Sequence, residues 1–273
     1  MSDFPGVWVL KAWVLKAWVL KAWVLKAWVL KAWVLKAWVL KVWVLKAWIL
    51  RSSISLGLLA FAALAGAGTI SAQDRRQNAP GEFDFYVLSL SWSPSFCEAA
   101  SERGGGGRSQ IQCGGRPFSF VVHGLWPQYE HGFPDYCQRP SPRLDRNIMS
   151  SMLDLMPAPG LIFAEWDKHG TCSGLGARAY FETIRKARSA VKIPEEYLQL
   201  SEPKTVAPAE IEDAFIKANP GLSSAAIAVT CDKTRLSEVR ICMGKDLQFR
   251  ACEEIDRRAC RRDQVEMPPV RGG

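Results

Sequence analysis

Eight cysteines fall between positions 97 and 260 and none before them, and that distribution constrains the fold more than any other feature. Cys97, Cys113, Cys137, Cys172, Cys231, Cys242, Cys252 and Cys260 form an even set, which suits a disulfide framework made in an oxidising compartment. No two are spaced C-x-x-C and the chain has three histidines, so the clusters that hold structural zinc have little to draw on; no metal and no cofactor are expected. Eight cysteines permit on the order of 100 pairings, and spacing alone does not choose among them.

The cysteine-free N-terminal part has a different character. From Trp8 to Ala47 the pentapeptide Trp-Val-Leu-Lys-Ala repeats, with Val42 the one departure. A period of five winds the lysines around a helix and alternates them across a strand, so neither regular structure gains a clean apolar face. A lysine in every fifth place also makes a poor membrane span. Residues 1–50 therefore read as a low-complexity repeat, unstructured or upstream of the true translation start. Residues 51–72 run from Arg51 through an uncharged Leu/Ala-rich stretch to Ser71-Ala72, the order of a secretory signal peptide cleaved after Ala72. Residues 73–273 are then expected to be one exported domain, secreted or periplasmic, monomeric, with no stable membrane association after cleavage.

Charge follows the same division. Residues 1–72 hold nine of the 35 basic side chains and one of the 27 acidic ones, which accounts for the whole formal charge of +8 and leaves 26 of each sign beyond. A neutral domain gives no long-range capture of a polyanion, so any action on nucleic acid must rest on local chemistry. The basic cluster Arg257, Arg258, Arg261 and Arg262 reads as a solvated face.

Along residues 83–260 the pattern is mixed. Alternation predicts strands at 83–92, ending before Pro94, and at 118–122, running into His123. The four glycines at 104–107 mark a loop, and residues 124–147, rich in Pro, Gly and aromatics, read as an ordered loop that Cys137 can tie down. Helical spacing covers 161–172, 177–191 and 209–218, the last stopped by Asn219-Pro220-Gly221. Strands are predicted again at 225–230 and 238–243. The expected class is α+β: a mainly antiparallel central sheet, helices packed against it, stapled by disulfides.

Two segments carry chemistry. His123-Gly124-Leu125-Trp126-Pro127 puts a histidine where an apolar strand opens. Glu165-Trp166-Asp167-Lys168-His169-Gly170-Thr171-Cys172, if helical, sets Glu165, Lys168 and His169 on one face at i, i+3 and i+4, with Trp166 and Asp167 pointing elsewhere. A carboxylate, an ammonium and an imidazole converging on one spot are costly unless they meet solvent or a charged ligand. Two histidines across a cleft can cleave RNA without a metal: one takes the 2′-hydroxyl proton while the other donates to the departing 5′-oxygen. Lys168 would offset charge on the phosphate, and Glu165 would orient His169 or the phosphate. DNA, lacking the 2′-hydroxyl, would resist. His131 lacks such context and reads as a loop residue. A glycosidase reading of Glu165 fails for want of a second acid in comparable context.

These paired segments resemble the active-site motifs of the ribonuclease T2 family, secreted acid-favouring ribonucleases with little base specificity. Trp92-Ser93-Pro94-Ser95-Phe96-Cys97 resembles the family's first strand and its exit, and the likeness extends over nearly all of residues 83–260. The resemblance implies cleavage of single-stranded RNA through a 2′,3′-cyclic phosphate, with His169 as the base of the first step and His123 as the acid. It also implies the bridges Cys97–Cys113, Cys137–Cys172, Cys231–Cys260 and Cys242–Cys252. One departure stands out. Many members carry a further histidine directly before the glutamate, where this chain has Ala164. That substitution motivates an alternative, a catalytically weakened secreted binding protein on the same fold. Gln128 stands where some members place an acidic base-contacting residue, while Trp126 and Phe133 offer stacking surfaces for any nucleobase.

Overall fold

A computed structural model of the chain describes residues 78–104, 110–114 and 116–270. The repeat at 1–50, the expected signal peptide at 51–72 and most of the glycine run lie outside the described residues. The chain divides after Gln73, and every described residue belongs to the second unit, Asp74–Gly273.

Four antiparallel strands make the central sheet: β1 (Phe85–Trp92), β2 (Phe120–Gln128), β4 (Ile227–Cys231) and β5 (Leu236–Met243), in the order β2-β1-β5-β4. A small second sheet pairs β3 (Lys204–Val206) with β6 (Val265–Met267). Helices α1 (Ser93–Glu102), α2 (Gln110–Cys113), α3 (Arg146–Ser151), α4 (Pro159–Lys168), α5 (Ala177–Ser189), α6 (Pro208–Ala218) and α7 (Glu253–Asp256) complete the described elements, with short 3₁₀ turns between them. The fold is the expected α+β.

Period-two alternation divides the sheet into two faces with separate roles. Leu88, Leu90 and Trp92 of β1, Val122 and Leu125 of β2, Val229 of β4, and Val239, Ile241 and Met243 of β5 face the main core. There they meet Ile162 and Trp166 of α4, Tyr180, Phe181, Ile184 and Ala187 of α5, and Ile211 and Phe215 of α6. Each Val, Leu, Ile, Phe or Met among them contributes roughly 1.5–3 kcal/mol on burial, so this layer supplies the bulk of the stability. The opposite face carries a smaller cluster, Phe85, Val87, Ala228, Cys242, Cys252 and Ile255.

Local differences from the expected boundaries have local causes. Pro94, read as the end of a strand, sits in the first turn of α1, where its missing N–H costs nothing. Strand β2 continues to Gln128 instead of stopping at residue 122. It tolerates Pro127 because it is an edge strand. The helical stretch at 161–172 is α4 followed by a 3₁₀ turn, Gly170–Cys172. Gly170 is required there, since a Cβ would lie 2.4 Å from the Trp166 ring.

The bridges join Cys97 to Cys113, Cys137 to Cys172, Cys231 to Cys260 and Cys242 to Cys252. The second ties the 129–145 loop to the turn just after His169, where Tyr136 N–H also donates to the Lys168 carbonyl at 2.8 Å. The last two fasten both ends of segment 252–260 to β4 and β5, beside the smaller cluster.

Candidate active site

A β-bulge places the first histidine. In the β1–β2 pairing Ser89 lies opposite Gly124 and Leu90 opposite Val122, so His123 is the extra residue on its strand. Bulges bend a strand and re-aim a side chain, and this one sets His123 on the face away from the main core, together with Trp126 and Gln128 further along β2. Glu238 and Arg240 of β5 belong to the same face, because Ser91 and Ser89 of β1 lie opposite them.

Helix α4 supplies the second set. Glu165, Lys168 and His169 share one side, and the His169 N–H still donates to the Glu165 carbonyl at 2.9 Å as the helix ends. Trp166 points into the core with its Nε1–H donated to the Pro142 carbonyl, and Asp167 accepts from Ser141 Oγ. Gly124 makes the junction possible: a Cβ there would sit 2.0 Å from Glu165 Oε2. Without it, Glu165 reaches the Trp126 indole, accepting from Nε1 at 2.7 Å, and brings Oε1 to 3.5 Å from His123 Nε2.

All seven side chains singled out from the sequence, His123, Trp126, Gln128, Phe133, Glu165, Lys168 and His169, line one cavity of about 240 Å³. Trp126 stands between the imidazoles, its ring 5.4 Å from that of His123 and 5.4 Å from that of His169. Phe133 approaches His169 at 6.1 Å and carries the Lys168 ammonium 5.5 Å over its ring. Ala164 is exposed and does not line the cavity. His131 is an exposed loop residue. Among the described residues, no group of three or more His, Cys, Asp or Glu side chains is arranged to hold a metal ion.

Sequence reasoning missed four charged residues. Glu238 accepts a hydrogen bond from His123 Nδ1 at Oε1, and its Oε2 accepts from Arg240 Nε at 2.9 Å and Nη2 at 2.7 Å. Glu254 and Arg258 also line the cavity, carried there by the doubly stapled segment 252–260. The only available signal was the i, i+2 spacing of Glu238 and Arg240, which puts them on one face of a strand.

The two imidazoles titrate in opposite directions. Burial opposes the imidazolium of His123, but the hydrogen bond and charge of Glu238, with the charge of Glu165, outweigh it and raise the group above its ordinary 6.5. For His169 burial acts in the same direction as the positive charges of Lys168 and His123, and the ring is pushed down to about 3. His169 is buried, and its Nδ1 has no hydrogen-bond partner among the described residues. Burial raises the Glu165 carboxyl, partly offset by His123, the Trp126 N–H and Lys168. The cavity thus pairs an imidazole whose neutral form is favoured on one wall with an imidazole whose charged form is favoured on the other.

Residues 83–252 match the model of the ribonuclease T2 family, and the chain belongs to that family. A probable ribonuclease of Haemophilus influenzae is 33% identical over 186 residues, covering 65% of this chain and 64% of that one. A ribonuclease of Aeromonas hydrophila is 40% identical over 114 residues, 42% of this chain and 49% of that one. The chain thus spans about half to two thirds of these curated relatives. Among solved structures, an RNase-related protein from Calystegia sepium superposes with a TM-score of 0.56 at 23% identity, over 70% of this chain and 99% of that one, a likeness of fold.

Proposed function

We propose that this chain is a metal-independent endoribonuclease that cleaves single-stranded RNA by transesterification. His169, neutral at working pH, takes the proton of a ribose 2′-hydroxyl. The freed oxygen attacks the adjacent phosphorus, and His123, as the imidazolium, gives its proton to the departing 5′-oxygen. A 2′,3′-cyclic phosphate and a 5′-hydroxyl result, so the proton taken at one ring is matched by the proton given at the other. Lys168, on the wall beside His169, faces the charge that gathers on the non-bridging oxygens. Glu165 holds the Trp126 indole between the two rings. Trp126 and Phe133 present π faces to bases, which suits little base specificity.

The observation that carries this reading is the pair of imidazoles on one cavity with opposite proton affinities. The test is turnover of single-stranded RNA by the purified protein in excess EDTA. Cyclic-phosphate products are expected, with DNA of the same sequence left intact; a folded protein that leaves RNA uncut contradicts the reading. An oxidising compartment, secreted or periplasmic, suits four disulfides in a described region of this size.

A further inference from the structure

Neither the proton transfers proposed above nor the two motifs use Glu238, yet it is one of the few buried acids of the domain. A carboxylate out of water is tolerated only when its oxygens are engaged. Here each oxygen has its own partner, Oε1 the His123 imidazole and Oε2 the Arg240 guanidinium. The contacts then close into a ring. Arg240 lies 5.1 Å over the Trp126 indole, the indole N–H is donated to Glu165, and Glu165 faces the other nitrogen of His123 at 3.5 Å. That last separation is long for a hydrogen bond. Nε2 is therefore the nitrogen left for a substrate, while Nδ1 is committed to β5.

We propose that Glu238, held in place by Arg240, is a positioning residue for His123: it holds Nδ1–H so that Nε2 is the nitrogen that trades a proton in the cavity. Its effect on turnover rests on the nuclease reading, whereas the Glu238–His123 pairing stands without it. The charged groups facing His123 are Glu238 and Arg240 from β5 and Glu165 from α4, with His169 beyond the indole. The strand neighbours opposite Glu238, Ser91 and Thr230, are uncharged. Titration directions agree with the geometry: burial acts to raise Glu238, but the hydrogen bond and charge of His123 and the Arg240 contacts bring it down to about 2.

Three histidines in the whole chain make a nitrogen-resolved NMR titration simple to assign, and it reads both the pKa and the tautomer. In the wild type, His123 is expected to titrate above 6.5 and to carry its proton on Nδ1 when neutral. Glu238→Gln should lower that midpoint by about 1–3 units. The alkaline limb of kcat/KM should move by the same amount while the acid limb stays. An unmoved His123 midpoint in Glu238→Gln, or an unmoved alkaline limb, overturns the proposal. Should that variant not fold, the wild type decides alone: a midpoint at or below 6.5, or a proton on Nε2, overturns it. If neither wild type nor variant cuts RNA, the nuclease reading fails, and the NMR shift still judges the pairing.

Discussion

His123 and His169 share a ring and a cavity but little else. His123 stands on a strand bulge with a carboxylate at each nitrogen, partly open to solvent; His169 closes a helix among aromatics with a lysine as its sequence neighbour and is buried. One environment stabilises the imidazolium and the other expels it. Opposed proton affinities at a single site thus follow from secondary structure: an edge strand can lay a histidine against an acid of its own sheet and another from a helix, and a helix end can place one beside a lysine at i−1.

The comparison can be broken most forcefully at the rings. His169→Ala and His123→Ala should each lower kcat on RNA by about 10²–10⁴-fold, with melting temperatures nearly unchanged; steady-state kinetics beside calorimetry would show it, and normal turnover in either contradicts the assignment. Next comes the clamp behind His169. Replacing both Cys137 and Cys172 by serine removes the bridge that holds the Phe133 loop against the 3₁₀ turn, and should cost about 2–4 kcal/mol in denaturant titration. Turnover should fall more than it does when the remote Cys97–Cys113 bridge is removed.

A smaller effect is expected at the junction between the two environments. Gly124→Ala pushes a methyl into the Glu165 carboxylate, so a loss of about 1–3 kcal/mol is expected, with Glu165 displaced from Trp126. A smaller cost of Gly124→Ala in the Glu165→Ala background, read as a double-mutant cycle, would confirm the clash, with a remainder from Trp126 Nε1, 2.5 Å from the same Cβ.

The smallest effect is on stability against pH. Because His123 is raised in the folded state, its contribution is complete below 6.5 and is lost as pH rises through its higher folded value. Glu238 has the reverse sign: held at about 2, it contributes above its ordinary 4.5 and loses that contribution as pH falls toward 2. Activity should follow the two rings, falling in acid as His169 is protonated near 3 and in base as His123 loses its proton.

Both motifs were legible because each is local. Glu165, Lys168 and His169 lie within five residues on one helix side, and the histidine of His123-Gly124-Leu125-Trp126-Pro127 sits at the visible end of an apolar strand. The main-core alternation was legible for the same reason. Glu238 and Arg240 were not, because their partner is 115 positions away in sequence and only the register of β1 between β2 and β5 sets them on its face. Arg258 reads as part of a solvated basic cluster until two disulfides draw its segment to the sheet. Helix α1 and the end of β2 were hidden by prolines whose positional meaning, first turn or edge strand, depends on tertiary context.

The division of labour between the rings is tested most directly by a nucleoside 3′-phosphodiester with a 4-nitrophenolate leaving group, which departs without needing a proton. On that substrate His123→Ala should keep a rate within about tenfold of wild type, since no acid is required, while His169→Ala stays as impaired as on RNA. Equal impairment of both variants, or rescue of His169→Ala instead, would contradict the assignment of His123 as the proton donor and His169 as the acceptor.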